Sequence, residues 1–403
     1  MKSKIYLVFI LIFYGTTFAQ FQDDEVDKCG YNTALAKSLL HVLGDHWGYG
    51  YDSLLVDLEK WSASPHITID SLGASVQNRA IWQLSITSDD TADTDKQTVF
   101  VHARTHPGEI QSWWVTKQVI EQLTSESEFA RLLRENCVFY IIPMYNPDGV
   151  ELEYLRENAN SVDIESNWDK ITVEPEVAVL RGRFSELMAS DAPIKVAMNM
   201  HSAYGTDRFF VYHSSLGTSN DYAILEQNYI EGVRFYYLNG IEPWYFRITW
   251  TTGTPTYYPE SWFWLNHQEE VIALTYEDWN DPQAANFDST ANAILQGIAD
   301  YLNVRPVNIE KKQQPIAKFN LMQNYPNPFN PTTYINYELQ ITNYVELSIY
   351  NLLGQKVAVL VSEKQSAGKH AIEWDASQFS SGMYYYMIKT GDFQNVKRMI
   401  LLR

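Results

Sequence analysis

The segment spanning residues 99–122 constrains the fold most, because it reads as a buried strand that leads through a tight turn into a helix. Residues 98–103 are β-branched and apolar, and from Glu109 onward apolar side chains recur at helical spacing. The Pro-Gly pair between these two segments predicts the turn. His106 and Glu109 flank it, so the sequence places an imidazole and a carboxylate at a strand end, where open α/β sheets carry their chemistry.

Strands and helices alternate along the chain as far as residue 302. The pattern predicts strands at 67–69, 80–86, 98–103, 137–142, 194–200 and 271–276, and helices at 52–61, 109–123, 174–189, 220–233 and 287–302. Such alternation predicts an α/β fold, in which helices cover both faces of a mixed, mostly parallel sheet.

The composition changes beyond residue 304. Residues 305–319 are rich in Lys, Gln and Pro and predict a linker. Residues 320–403 contain short alternating strands with glycine turns between them, which predicts a small all-β sandwich domain. We therefore expect two domains, at 48–304 and 320–403.

The N-terminus predicts export. Lys2 and Lys4 precede an apolar run and small residues, so residues 1–19 read as a signal peptide, followed by an N-terminal segment at 20–47. No other stretch approaches membrane-spanning length, so we expect no transmembrane segment in the mature chain. The net charge of −19 argues against nucleic acid as a partner.

Two further predicted strands lead into residues that suit a metal site. His201 follows one apolar strand and Glu277 follows another. Since parallel strands end at the same edge of a sheet, His106, Glu109, His201 and Glu277 could converge there. Two histidines and one carboxylate form a zinc set with an open fourth position, and the remaining carboxylate would be the general base.

Spacing alone does not single out this pair, because His-x-x-Glu also occurs at residues 267–270 and 370–373. An ordered set of five motifs does so: His106-Pro-Gly-Glu109, Asn146-Pro-Asp-Gly149, Val162-Asp-Ile164, Met200-His-Ser202 and Leu274-Thr-Tyr-Glu277. With these motifs the chain resembles the zinc carboxypeptidases, the metallopeptidases similar to carboxypeptidase A, over residues 48–302.

The resemblance implies a role for each matching residue. His106, Glu109 and His201 would bind one zinc ion, and Glu277 would be the general base for a zinc-activated water. Asp163 matches the carboxylate that orients the first histidine.

Arg156 matches the arginine that stabilises the developing oxyanion. The family's mobile, substrate-facing tyrosine would be Tyr257 or Tyr258, and the sequence does not choose between them.

The chain departs from the family in the segment that grips the substrate's terminal carboxylate. The family has an Asn-Arg pair there, whereas this chain has Glu165 followed by a serine. A glutamate should repel an anionic end group. Either another cation such as Arg208 takes that role, or the substrate is not an ordinary peptide carboxyl terminus.

The C-terminal domain carries a second resemblance. Its motifs are Gln323-Asn-Tyr-Pro-Asn-Pro-Phe-Asn-Pro-Thr332, Ile349-Tyr-Asn-Leu-Leu-Gly354, Trp374-Asp375 and Ser380-Ser-Gly-Met-Tyr384. They resemble the type A sorting domain of the type IX secretion system. This resemblance implies the type IX machinery as a partner, and a secreted or surface-attached protein of a Gram-negative bacterium.

The expected function is hydrolysis of peptide bonds in peptide or protein substrates by an exported zinc metallocarboxypeptidase with atypical C-terminal specificity. Two alternatives remain open. One is a related zinc amidohydrolase that acts on cell-wall peptides or acylated amino acids, and the other is a surface binding protein without turnover.

Overall fold

The computed structural model describes residues 42, 44–88, 93–304, 319–339, 342–352, 354–390 and 393–402. The predicted signal peptide, most of the N-terminal segment and most of the linker lie outside these residues. The chain divides into two compact units, Met1–Pro306 and Val307–Arg403. Within the part that is described, no helix has the length and apolar character needed to cross a bilayer.

An eight-stranded sheet organises the first unit. Its strands are β1 (Ile67–Ala74), β2 (Ala80–Ile86), β3 (Gln97–Ala103), β4 (Cys137–Ile142), β5 (Ile194–Ala203), β6 (Phe209–His213), β7 (Arg247–Thr249) and β8 (Ile272–Trp279). The order is β1-β2-β4-β3-β5-β8-β6-β7. Strands β4, β3, β5 and β8 are parallel neighbours, whereas β1, β2 and β6 join antiparallel partners. The predicted mixed, mostly parallel sheet is confirmed.

Eight helices surround the sheet in the described part of this unit. They are α1 (Tyr51–Trp61), α2 (Ile110–Leu123), α3 (Glu128–Asn136), α4 (Pro147–Glu151), α5 (Pro175–Met188), α6 (Asn220–Tyr236), α7 (Pro259–His267) and α8 (Phe287–Tyr301). Side chains of β3 alternate between the two faces of the sheet, as the pleat requires. Val99 and Val101 join the core under α2, α6 and α8, while Phe100 joins the core under α5 and α7.

The structure differs from the predicted elements in several places. Strands β6 and β7 and helices α3 and α7 were not predicted; each is short, between three and nine residues. Helix α3 does have a capping residue that is visible in the sequence. Ser127 is its N-cap, and the side-chain oxygen of this serine accepts a hydrogen bond from the backbone N–H of Ala130. The Asn146-Pro-Asp-Gly149 motif forms the N-terminal end of α4, with Asn146 as its N-cap. His201 and Glu277 lie inside β5 and β8 rather than after them.

The second unit is all β in its described residues. One sheet has the order β13-β10-β9 and the other has the order β12-β11-β14-β15. The strands are β9 (Phe319–Leu321), β10 (Thr332–Leu339), β11 (Asn343–Tyr350), β12 (Lys356–Gln365), β13 (Gly368–Asp375), β14 (Gly382–Thr390) and β15 (Phe393–Leu401). Both sheets contribute to one apolar core, with Ile335 from β10 and Leu347 from β11 fully buried. The predicted small all-β domain is confirmed.

Candidate metal and catalytic site

The site lies where the central parallel strands end. His201 of β5 and Glu277 of β8 are ladder partners, so both side chains point to the same face of the sheet. His106 follows β3, the neighbour of β5 on its other side. The structure therefore brings the predicted residues of three strands to one edge.

The Asn-Pro-Asp-Gly motif holds the loop that carries His106. The backbone N–H of Asn146 donates to the carbonyl of Arg104 (3.1 Å), and its side-chain amide donates to the carbonyls of Thr105 (3.2 Å) and Glu157 (3.1 Å). Arg104 has a positive φ of 60°, which turns the chain out of β3. Asn146 thus joins the end of β3 to the segment that follows α4.

Two histidines face one carboxylate through their Nδ1 atoms. Glu109 Oε1 lies 2.8 Å from His106 Nδ1, and Glu109 Oε2 lies 2.8 Å from His201 Nδ1. The two Nδ1 atoms are 3.1 Å apart. Ligand atoms around tetrahedral zinc are separated by about 3.3 Å, given metal–ligand bonds of about 2.0–2.1 Å. Two imidazoles and a carboxylate are donor groups that zinc prefers, and their separations of 2.8 and 3.1 Å lie below this value.

The opposite Nε2 edges of the same histidines face two further carboxylates. His106 Nε2 lies 3.2 Å from Asp163 Oδ1 and 3.3 Å from Glu165 Oε2. His201 Nε2 lies 3.8 Å from Glu165 Oε1. His106, His201 and Glu165 therefore form a second group whose ligand atoms lie within 4.8 Å of one another. Each Glu109 oxygen lies closer to a histidine nitrogen than either Glu165 oxygen does.

Arg156 binds the same carboxylates. Its Nε and Nη2 donate to Asp163 Oδ2 at 3.3 and 3.2 Å, and Nη2 also lies 3.4 Å from Glu165 Oε2. Its Nη1 lies 3.7 Å from Glu109 Oε1. The guanidinium therefore bridges the two sets of carboxylates on either side of the histidines.

Burial and charge shift the pKa values in this cluster. Burial alone would raise the pKa of Glu109, but the adjacent His106 and His201 hold it well below its ordinary value. Burial alone would lower the pKa of both histidines. The carboxylates around them prevail, so the pKa of His106 lies well above its ordinary value and that of His201 is also raised. A histidine binds metal as the neutral imidazole, so a divalent cation would compete with protons at these nitrogens.

Glu277 is buried in the same row of the sheet. It is 1% exposed, and its antiparallel neighbour on the other side is Phe209 of β6. Its direct neighbours in the two adjacent strands are thus Phe209 and His201. A buried carboxylate beside potential metal ligands is suited to accept and donate a proton, because it is shielded from solvent.

The predicted substrate-binding residues differ in how they are placed. Tyr257 is 37% exposed, while Tyr258 is half-buried with its ring 4.4 Å from that of Tyr257. Burial, with Glu165 as a further cause, raises the pKa of Tyr258. Arg208 is 8% exposed and its Nε donates to both oxygens of Asp278 at 3.1 and 3.0 Å. It forms a buried ion pair rather than an accessible cation.

One polar network beneath the site was not predicted. The side-chain amide of Asn199 donates to Glu260 Oε1 (3.0 Å), and the Thr275 hydroxyl donates to the same oxygen (2.6 Å). The Thr105 hydroxyl donates to Asn199 Oδ1 (3.2 Å). Asn199 and Thr275 lie two residues before His201 and Glu277 on the same sheet face. Their polarity inside otherwise apolar strands was a signal that the sequence offered.

The other two His-x-x-Glu tetrads do not resemble this site. His370 and Glu373 lie three residues apart on β13, so they point to opposite faces of the sheet. His267 ends α7, and Glu270 ends an exposed turn of 3₁₀ helix. In the described residues, the group of potential metal ligands made by His106, Glu165 and His201 contains no residue of the other two tetrads.

Two family models match the chain. Residues 57–186 match the model described as zinc carboxypeptidase, and residues 323–402 match the model described as secretion system C-terminal sorting domain.

Curated relatives match part of the chain. The chain is 41% identical over 101 residues to cytosolic carboxypeptidase 6 of Mus musculus, which is 25% of this chain and 19% of that protein. It is 28% identical over 209 residues to cytosolic carboxypeptidase 4 of Homo sapiens, covering 47% of this chain and 19% of that protein. The chain thus spans about a fifth of the length of these relatives.

Solved structures share the fold. A metallo-carboxypeptidase from Pseudomonas aeruginosa in complex with (2-guanidinoethylmercapto)succinic acid aligns with a TM-score of 0.54 and 19% identity, covering 63% of this chain and 70% of that one. A metallo-carboxypeptidase from Burkholderia cenocepacia aligns with a TM-score of 0.53 and 18% identity, with the same coverage. The region that matches the zinc carboxypeptidase model thus lies in a unit with a carboxypeptidase-like fold, and the region that matches the sorting-domain model follows it in the chain.

Proposed function

We propose that the first unit is a zinc-dependent metallocarboxypeptidase. The observation that carries this proposal is the convergence of the Nδ1 atoms of His106 and His201 on the carboxylate of Glu109, with Glu277 beside His201 in the ladder. The first three residues would hold one zinc ion and leave a fourth position open. Bound zinc supplies a Lewis acid that polarises the scissile carbonyl and acidifies water.

Glu277 is the general base in this proposal. Its carboxylate accepts a proton from the attacking water and then delivers that proton to the leaving nitrogen, so one residue serves both halves of the reaction. Its burial beside Phe209 supports this role, because a site that excludes bulk water keeps the proton on the reacting groups.

Arg156 and Asp163 support the reaction from the side. The Nη1 of Arg156 faces the Glu109 side of the histidines, where a positive charge stabilises the oxyanion that develops on the carbonyl oxygen. Asp163 accepts from His106 Nε2, which directs the lone pair of Nδ1 toward the metal position.

We also propose that cleavage does not require a free C-terminal carboxylate. The expected carboxylate-binding arginine is absent, and Arg208 is paired with Asp278. Four carboxylates and one guanidinium surround the site, namely Glu109, Asp163, Glu165, Glu277 and Arg156. This balance disfavours an anionic end group. We assign Tyr257, the more exposed of the two tyrosines, as the one that faces substrate.

The second unit would take the enzyme to its place of action. The sorting domain supports delivery by the type IX secretion machinery to the outside of a Gram-negative cell, where the substrate would be a peptide or a protein. The net charge of −19 offers no attraction to nucleic acid.

The proposal is tested by digestion of matched peptides that end in a free carboxylate or in an amide, followed by mass spectrometry. We expect cleavage of both peptides, loss of cleavage in a chelator, and recovery when zinc is added back. Strict dependence on the free carboxylate would refute the proposed specificity. Cleavage of acylated amino acids or cell-wall peptides alone would favour the amidohydrolase, and no cleavage of any substrate would favour the binding protein.

A further inference from the structure

We propose that Glu165 is a positioning residue, whose carboxylate orients both metal-binding histidines from their outer edges instead of contacting substrate. This inference rests on the proposed zinc site. It gives a structural reason for the residue that most clearly departs from the family pattern.

The geometry places the two oxygens of Glu165 on different histidines. Oε2 lies 3.3 Å from His106 Nε2, and Oε1 lies 3.8 Å from His201 Nε2. Both are ion-pair distances, and the hydrogen-bond partner of His106 Nε2 is Asp163 Oδ1 (3.2 Å). One carboxylate therefore spans both imidazoles on the edge opposite Glu109.

This placement suits the role of an outer partner of the metal. A histidine that binds metal through one nitrogen usually donates the N–H of its other nitrogen to a carboxylate, carbonyl or water, which fixes the tautomer and the ring orientation. Here Nδ1 of each histidine faces Glu109, so Nε2 needs such a partner. Asp163 serves His106 alone, whereas Glu165 faces His106 and His201 together.

The same carboxylate also helps to hold Arg156. Arg156 Nη2 lies 3.4 Å from Glu165 Oε2 and 3.2 Å from Asp163 Oδ2. Since Nη1 of that guanidinium faces Glu109, removal of the Glu165 charge would loosen the group assigned to the oxyanion as well as the histidines.

Burial argues against direct contact of Glu165 with substrate. Its side chain is 3% exposed, compared with 15% for Arg156 and 27% for Asp163. Its backbone N–H donates to Asp163 Oδ1 (2.9 Å), which fixes the start of the short 3₁₀ helix that carries it. The carboxylate is thus directed inward from a fixed turn.

The test compares zinc affinity in the full chain for three variants, measured by competition with a chromophoric chelator. We expect Glu165→Gln to weaken zinc binding by about 10- to 100-fold, as for other outer partners of metal ligands. Glu109→Gln should weaken it more, and Glu270→Gln, an exposed glutamate from another tetrad, should leave it unchanged. The visible spectrum of the cobalt-substituted protein should change in Glu165→Gln, which a purely structural role would not cause.

Three outcomes would overturn the inference. The first is an unchanged zinc affinity and cobalt spectrum in Glu165→Gln. This holds also if the variant changes the preference between free and amidated peptides, because Glu165 would then act on substrate and not on the histidines. A greater loss in Glu165→Gln than in Glu109→Gln would make Glu165 a ligand. If the wild-type chain binds no zinc, the proposed function itself fails. Circular dichroism of each metal-free variant establishes that it is folded.

Discussion

His201 and Glu277 are direct partners in the parallel ladder between β5 and β8, so the proposed metal ligand and the proposed base share one sheet face. Adjacent strands are about 4.8 Å apart, which sets the spacing of the two side chains at their origin. The relationship is a property of the sheet register and not of a flexible loop. A shift of one residue in either strand would turn one of them to the opposite face.

The first prediction concerns the base. Glu277→Gln keeps the size of the side chain but removes its ability to accept a proton, so we expect kcat for peptide hydrolysis to fall by about 10²- to 10⁴-fold. Zinc affinity should stay at the wild-type value, because Glu277 is outside the proposed ligand set. Full activity in this variant, measured with saturating peptide and zinc, would exclude the general-base role.

The second prediction uses the repeated tetrad as an internal control. His106→Ala removes a proposed ligand itself. Its zinc affinity should therefore fall by more than the 10- to 100-fold that is typical when a hydrogen-bond partner of a metal ligand is removed. His267→Ala alters a histidine with the same spacing to a glutamate, and we expect its zinc content to match the wild type. Metal analysis of both purified variants after dialysis gives the comparison. Equal zinc loss in the two variants would contradict the assignment.

Much of the fold could be predicted from the sequence, because the strongest patterns lie within short segments. Apolar runs predicted the central strands, and the turn after β3 predicted a chemical site at their end. Two further apolar strands pointed to His201 and Glu277, and the order of the motifs distinguished this set from the other His-x-x-Glu tetrads. The direction of Glu165 could not be predicted, because it depends on how the short helix at 164–166 turns its carboxylate onto two histidines from other segments. The network of Asn199, Glu260 and Thr275 was missed because α7 supplies its central member.

The third prediction tests how tightly the segment after β4 packs under the site. A Cβ at Gly149 would lie 2.4 Å from the Glu157 carbonyl oxygen and 2.6 Å from Pro107 Cγ, which is next to His106. Gly149→Ala should therefore lower the free energy of unfolding by about 1–3 kcal/mol. It should also reduce zinc affinity, because Pro107 must move.

Gly182 provides the matched control for that substitution. It lies within α5, is exposed, and a Cβ there would meet no atom within 4 Å. Gly182→Ala should raise the free energy of unfolding by about 0.5–1 kcal/mol, because alanine loses less conformational entropy in a helix. Urea unfolding followed by circular dichroism measures both variants. An unaffected Gly149→Ala would contradict the tight packing around α4. A destabilised Gly182→Ala would show that close packing is not needed for a glycine-to-alanine change to lower the free energy of unfolding.

The fourth prediction concerns Cys137, a buried cysteine at the start of β4 that forms no disulfide with any other described residue. We expect no reaction with a thiol reagent at pH 8 in the folded protein and full reaction after denaturation. Cys29 lies outside the described residues. Because the sequence has two cysteines, Cys29→Ser leaves Cys137 as the single one. One thiol per denatured chain of that variant, and two per wild-type chain without reductant, would agree with free cysteines. No reactive thiol in the denatured, unreduced wild type would indicate a disulfide between Cys29 and Cys137.

The burial of Cys137 should also make the free energy of unfolding depend on pH in the alkaline range. Burial raises the pKa of the Cys137 thiol from 9.0 to about 12. Below pH 9.0 the thiol is protonated in both the folded and the unfolded chain, so it causes no pH dependence there. Between 9.0 and about 12 the unfolded chain releases the proton and the folded chain keeps it, so stability falls as pH rises, by up to about 1.4 kcal/mol per pH unit. Urea unfolding of the wild type and of Cys137→Ala from pH 8 to pH 11 should show a steeper decline in the wild type. Parallel declines would mean that this thiol ionises alike in the folded and unfolded chains.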